Sequence, residues 1–320
     1  MTDLPSHVEI QEEGPREGFQ IEGGPIATAD KIALIDALSA TGLRRIQVAS
    51  FVNPKLVPGW ADAEQVVAGF APRDGVEYHA LWFSPANLQR ALNFRDRLTL
   101  FGSITVSASE AFSKRNLNRD HDGQLEAMRK NVAAHQAAGV PVTRASVQAS
   151  FGCNFSGDVP AERVVSVLAD ALALAEETGC TIERVSLADS MGWATPLRVE
   201  RVLGAVRSRW PELKIVLHLH DTRGLGIACA MTGLRMGVTT FDAAVAGVGG
   251  CPFAAHPGAP GNIATEELVF LCEEMGIETG VDLDALLDAA ALAERILGRR
   301  LPSAMIRGGG LGALRARAAA

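Results

Sequence analysis

Hydrophobic and polar positions follow two alternating periods along this chain. Short β-branched or alternating runs recur at residues 8–11, 46–49, 76–83, 102–107, 142–150, 182–188, 214–220 and 240–246, and read as strands. Between them lie stretches of helical period at 29–41, 63–70, 122–138, 160–178, 196–210, 224–236 and 265–275, and Ser84-Pro85 opens a further one. The first is typical: Ile32, Ile35, Ala37 and Leu38 share a face, Thr28 is the expected cap and Gly42 the stop. Residues 94–100 fit neither period.

Eight strands alternating with helices at spacings of about 25–35 residues predict an α/β fold, a (β/α)8 TIM barrel over residues 8–275. An open doubly wound sheet is the alternative, but no G-x-G-x-x-G turn follows the first strand. A helix at 283–297 reads as a C-terminal accessory element. Residues 1–300 are therefore expected to form one catalytic domain. The Gly/Ala/Arg-rich residues 301–320 are expected to form a flexible tail.

Composition narrows the function. The chain has 320 residues, 48% hydrophobic and 21% charged, enough for a large core. A net charge of −7 excludes a general nucleic-acid surface, so an anionic substrate needs a local cationic patch or a metal. The five cysteines, Cys153, Cys180, Cys229, Cys251 and Cys272, show no C-x-x-C spacing. With no signal peptide evident, reduced thiols in a cytoplasmic protein are expected. No apolar run is long enough to predict a membrane span.

The chemistry centres on His218-Leu219-His220-Asp221. Residues i and i+2 of a strand share a face, so His218 and His220 aim at one place and offer half of a divalent-metal site. Two polar residues at a strand end are the plainer reading. Barrel active sites lie at the C-terminal strand ends. There the sequence places Arg16 and Glu17 after the first strand, Gln47 on the second, Asp189 after the sixth, and Cys251 and Asn262 after the eighth. A carboxylate, two imidazoles and an amide from separate strands are O/N donors that hard-to-borderline divalent metals take.

Seven segments then resemble one family: GPREGFQ at 14–20, SFVNPKLVP at 50–58, SKRN at 113–116, FGC at 151–153, LADSMGWATP at 187–196, HLHD at 218–221, and AGVGGCPF with GN at 246–253 and 261–262. In that order they resemble the 3-hydroxy-3-methylglutaryl-CoA lyases, among the metal-dependent lyase and Claisen synthase barrels. The resemblance implies a carbon–carbon lyase that cleaves a 3-hydroxy-3-substituted acyl-CoA to an acyl-CoA and a keto acid. It implies Glu17, His218, His220 and Asn262 as ligands of Mg²⁺ or Mn²⁺. It implies Arg16 as the group that neutralises an enolate, Asp189 as a partner of the substrate hydroxyl, and Cys251 as a proton donor on a mobile loop. Lys114, Arg115 and Asn116 are implied contacts of the CoA end. The expected partners are an acyl-CoA or related small anion and further copies of the chain, as a dimer or tetramer.

Plainer readings stand beside these. Cys153, Cys180, Cys229 and Cys272 lie in apolar or helical settings and read as packing residues. His256 reads as solvent-facing, Lys114-Arg115 as an exposed pair and Asp189 as a helix cap. His7, His79, His121 and His135 have no supporting cluster.

The chain also departs from the lyase pattern. Glu17 replaces an aspartate, and Gln47 stands where the lyases carry a glutamate, which predicts a site one unit more positive and an altered substituent preference. Residues 252–261 are two longer than the usual form, and Gly23-Gly24 replaces a basic stretch. Two other functions compete: a Claisen transferase of the isopropylmalate or homocitrate synthase type, disfavoured by GGCPF and by the short C-terminal part, and a non-catalytic descendant.

Overall fold

The structure, a computed structural model, describes residues 4–22, 24, 26–250 and 260–319. Its strands are β1 (Glu9–Glu12), β2 (Arg45–Ser50), β3 (Glu77–Leu81), β4 (Gly102–Ser107), β5 (Val142–Gln148), β6 (Arg184–Ala188), β7 (Lys214–His218) and β8 (Thr240–Ala243). They are parallel and pair in the order β3-β2-β1-β8-β7-β6-β5-β4, the cyclic order of a (β/α)8 barrel. The chain leading into β4 is tied to β3 by a backbone bond from Thr99 N–H to Tyr78 O at 2.7 Å.

The helices are α1 (Thr28–Ser39), α2 (Ala63–Gly69), α3 (Pro85–Leu92), α4 (Glu110–Leu117), α5 (His121–Ala137), α6 (Ala161–Glu177), α7 (Pro196–Arg209), α8 (Gly226–Arg235), α9 (Thr265–Glu274), α10 (Leu283–Leu297), α11 (Met305–Gly308) and α12 (Gly312–Ala319). Side-chain oxygens of Ser84, Asp120, Thr195 and Asp282 cap α3, α5, α7 and α10, each satisfying an otherwise orphaned N–H. Thr28 is not a cap: it is the first helical residue, and its hydroxyl bonds Asp62 at 2.7 Å. The segment read as a tail is helical, and both guanidinium Nη atoms of Arg315 in α12 bond the Glu274 carboxylate of α9 at 2.7 Å.

Each strand is buried on both faces, as parallel strands in a barrel must be. Ile10, Ile46, Val48, Val185, Leu187, Ile215, Leu217 and Phe241 belong to one hydrophobic core, which also takes in Leu286, Ala289 and Ala293 of α10. The alternate positions are polar and pair with one another: Arg45 with Glu9 and Glu77, Arg184 with Glu9, and Arg144 with Gln11. This charged layer closes the barrel beneath the site.

Candidate metal centre

Strand β1 runs into a five-residue π-helical turn, Gly14–Gly18. Buried Glu12 fixes its start: one carboxylate oxygen accepts from Gly14 N at 2.7 Å and Val245 N at 2.8 Å, and the other bonds Thr265 Oγ1 at 2.6 Å. A Cβ at Gly14 would sit 2.5 Å from that first oxygen, so no larger residue fits. The Trp60 indole N–H holds the Arg16 carbonyl at 3.0 Å. The turn thereby delivers Arg16 and Glu17 to the barrel mouth, each side chain 11% exposed.

The second part comes from β7. The regular strand ends at His218, yet the chain continues extended, and His220 forms an isolated bridge with Asn262. Backbone bonds from Asp221 N to Gly261 O and from Ile263 N to Leu219 O stitch the segment around Asn262 onto this extension. The two imidazoles lie with centroids 5.2 Å apart. His218 Nδ1 faces Asp242 Oδ2 at 3.2 Å, an arrangement that fixes ring orientation. Glu17 Oε1 accepts from Asn262 Nδ2 at 3.1 Å and Gly250 N at 3.0 Å, and lies 3.9 Å from His220 Nε2. Donor atoms of Glu17, His218 and His220 all fall within 4.8 Å of one another.

These groups fit a divalent ion. Both ring nitrogens of His220 are buried without a hydrogen-bond partner. A buried polar group left unpaired costs about 1–3 kcal/mol, so its presence here asks for a ligand. Burial opposes the charge of Glu17, but Arg16, His218 and His220 more than offset this and hold its carboxyl below the usual range. Burial and the neighbouring His218 push His220 down to about 4, leaving it neutral at physiological pH. Burial would also lower His218, but the Asp242 contact and the Glu17 charge lift it to about 9, so an ion bound there would displace its proton. The set mixes two imidazoles, a carboxylate and an amide, O/N donors that hard and borderline divalent ions share, and it selects no one of them.

Gly249 holds this centre in shape. Its φ is +89°, and a Cβ there would lie 2.7 Å from Asn262 Nδ2 and 3.0 Å from Glu17 Cγ. Gly249→Ala is expected to weaken Mn²⁺ binding by about 10–100-fold, the range for disturbing groups that support a metal site. Titration of Mn²⁺ by electron paramagnetic resonance measures it, and wild-type affinity in the variant would remove Gly249 from this role.

Arg16 sits beside the centre. Its Nη2 lies 2.8 Å from Glu13 Oε2 and 3.0 Å from Glu17 Oε2, and its Nε donates to Gln47 Oε1. A register shift in the β2–β3 ladder falls between Gln47 and Ala49, where a bulge re-aims side chains. Glu13 carries a charge that the sequence reading did not count. Burial opposes its ionisation, but His79 and Arg16 hold the carboxyl well below its usual range. It adds a buried negative charge beside the neutral Gln47. His79 does have a cluster, since its Nε2 lies 3.6 Å from Glu13 Oε1. Glu13, His79 and Asp242 are the site residues the motifs did not single out; their signal was the inward polar alternation of β1, β3 and β8.

The remaining expected residues divide. Asp189 is buried, and one oxygen accepts from Trp193 N at 2.6 Å while the other has no hydrogen-bond partner. It thus caps the following turn and keeps an oxygen free, and burial pushes it up to about 6. Lys114, Arg115 and Asn116 lie exposed on α4, a helix that sequence reading missed, in the connection following β4. Lys114 pairs with Glu110 at 2.5 Å, and Arg115 stacks 4.4 Å over Phe155. Neither contact brings them to the metal centre. Cys153, Cys229 and Cys272 are buried and Cys180 half-buried, as packing residues would be. Cys251 and His256, with most of the lengthened segment, lie outside the described residues.

Comparison with known proteins settles the family. The HMGL-like family model matches residues 7–293. The chain belongs to that family. It is 42% identical over 304 residues to hydroxymethylglutaryl-CoA lyase YngG of Bacillus subtilis, covering 93% of this chain and 96% of the relative. It is 39% identical over 297 residues to a 3-hydroxy-3-isohexenylglutaryl-CoA/hydroxymethylglutaryl-CoA lyase of Pseudomonas aeruginosa, covering 93% and 95%. The solved structure of an HMG-CoA lyase from Acinetobacter baumannii, in complex with coenzyme A and 3-methylmalate, superposes with a TM-score of 0.85 at 35% identity, covering 98% of each chain. These members of the HMGL-like family are carbon–carbon lyases, which places this chain with the lyases rather than the Claisen transferases.

Proposed function

We propose that the chain is a divalent-metal-dependent lyase that cleaves 3-hydroxy-3-methylglutaryl-CoA, or a 3-hydroxyacyl-CoA differing in its 3-substituent, to an acyl-CoA and a keto acid. The observation that carries this reading is the convergence of Glu17, His218, His220 and Asn262 beside Arg16 at the barrel mouth, in a chain 42% identical to such a lyase. Those four side chains would hold the ion, and a bound Mg²⁺ or Mn²⁺ supplies Lewis-acid polarisation and a template for substrate oxygens.

The chain's own residues supply the rest. The unpartnered oxygen of Asp189 accepts the proton of the tertiary hydroxyl. The C2–C3 bond breaks, C3 becomes the ketone, and the bond electrons pass to C2 and the thioester oxygen as an enolate. Arg16 faces that developing charge. Cys251, next in sequence to Gly250, whose N–H bonds Glu17, delivers the proton to C2. Lys114 and Arg115, cationic and exposed on α4, suit the phosphates of coenzyme A. No helix among the described residues is long and apolar enough to cross a membrane, and the free thiols among them favour a reducing cytoplasm.

A panel of acyl-CoA substrates tests the reading. Methylglutaryl-CoA and analogues with isohexenyl, carboxymethyl and hydroxymethyl substituents are incubated with and without Mn²⁺, and free acetyl-CoA and keto acid are quantified. Metal-dependent release from at least one member is expected, with kcat/KM above about 10⁴ M⁻¹s⁻¹ on the preferred one. Release from none would overturn the assignment.

A further inference from the structure

We infer that Glu13 is the positioning residue for Arg16, taking from the neighbouring strand the part that a carboxylate at position 47 would otherwise play. The inference rests on the lyase reading above and concerns which group aims the guanidinium. Three side chains hold Arg16: Glu13 at 2.8 Å, Glu17 at 3.0 Å, and Gln47 through its amide oxygen. They are not equivalent. Gln47 is neutral and cannot balance charge. Glu17 is shared, since its Oε1 accepts from Gly250 and Asn262 and lies among the donor atoms of His218 and His220. A carboxylate that serves a 2+ ion is a weaker partner for a cation beside it.

Glu13 has no such competing duty. It continues the inward series of Glu9 and Gln11 on β1, so its direction is set by the strand. Its Oε2 holds Arg16 while its Oε1 faces His79 Nε2 at 3.6 Å. Both side chains are nearly sealed, at 6% and 3% exposure, so solvent screens this contact little. His79 in turn lies against Phe101, ring centroids 5.6 Å apart. Glu13 is thus clamped between a packed ring and the guanidinium. Gln47 already accepts from Arg16 Nε, so a glutamate there would place its charge on the same guanidinium from β2.

The test is an exchange of charge between the two strands. Glu13→Gln keeps shape and removes the charge. On the preferred substrate it is expected to lower kcat by about a hundredfold, the scale of loss for a misplaced reacting group, with KM within about threefold. Mn²⁺ affinity, read by electron paramagnetic resonance, is expected to fall by less than about tenfold, because Glu13 lies beside the centre but is not among its ligands. Glu13→Gln with Gln47→Glu is expected to recover at least tenfold of the lost kcat. A residue that only stabilised the fold would lower the melting temperature and would not be rescued from position 47. If Glu13→Gln does not fold, Glu13→Asp carries the comparison, since it draws the charge back by one methylene; its loss of kcat must likewise be recovered by Gln47→Glu. A Glu13→Gln enzyme with kcat within threefold of wild type overturns the inference. So does a double variant no faster than its single parent. Both outcomes leave the lyase reading intact, because wild-type turnover on the panel is measured in parallel. An inactive wild type overturns that reading and this inference with it.

Discussion

Replacing His220 with alanine is expected to abolish divalent-metal binding and turnover while leaving the metal-free fold close to its original stability. The imidazole is buried with both nitrogens unpartnered, so in the metal-free chain it carries an unmet desolvation cost. Removing it relieves that cost and opens a cavity lined by polar groups, two effects of opposite sign and similar size. With metal present the balance changes. An ion that binds only the folded state adds about 2.7 kcal/mol of stability at a hundred times its dissociation constant. The wild-type melting temperature is therefore expected to rise on Mn²⁺ addition, and that of His220→Ala to stay put. The comparison reads the ligand role without an assay of activity. An equal rise in the variant would remove His220 from the ligand set.

The histidine pair was legible from sequence because it needs only the two-residue period of a strand. The regular ladder stops at His218, but extended backbone continues to His220, so the geometric argument held beyond the element that suggested it. Asn262 was legible as an amide beyond the eighth strand, but its route to the centre was not. It reaches the centre by threading beside the β7 extension, a contact no local pattern encodes. The π-helical turn after β1 was also hidden, since it depends on Glu12 gathering donors from Val245 and Thr265, far along the chain.

Glu13 shows a different kind of miss. Its period was visible, as the third member of the series with Glu9 and Gln11, but in a half-buried sheet such a face points to water. Here it points into the lumen, and the apolar face is the one the helices cover. The alternation alone does not distinguish these two, and the choice appears only once the sheet closes. Helix α4 was missed because eight residues with the run Lys114-Arg115-Asn116 read equally as a polar loop. Its start is set by Ser109, whose hydroxyl accepts from Phe112 N.

Arg16→Met is expected to lower kcat by about a hundred- to a thousand-fold, the 2.7–4 kcal/mol that one lost oxyanion-type donor costs. Arg16→Lys should be nearly as poor. The guanidinium uses Nε toward Gln47 and Nη2 toward both Glu13 and Glu17, a planar fork that a single ammonium cannot reproduce. The variants differ in stability, and that difference separates charge from geometry. Methionine leaves the buried Glu13 carboxylate without its guanidinium, and stranding one side of a buried pair typically costs about 3–5 kcal/mol. Lysine keeps the positive charge and should melt closer to the wild type. If Arg16 acts by aimed charge, kcat falls in both variants while only the methionine variant melts early. If it were structural alone, kcat would track the melting temperature, and Arg16→Lys would work. Steady-state kinetics at saturating Mn²⁺, with thermal melts of the same preparations, separates the cases, and a fully active Arg16→Met enzyme would falsify the electrostatic role.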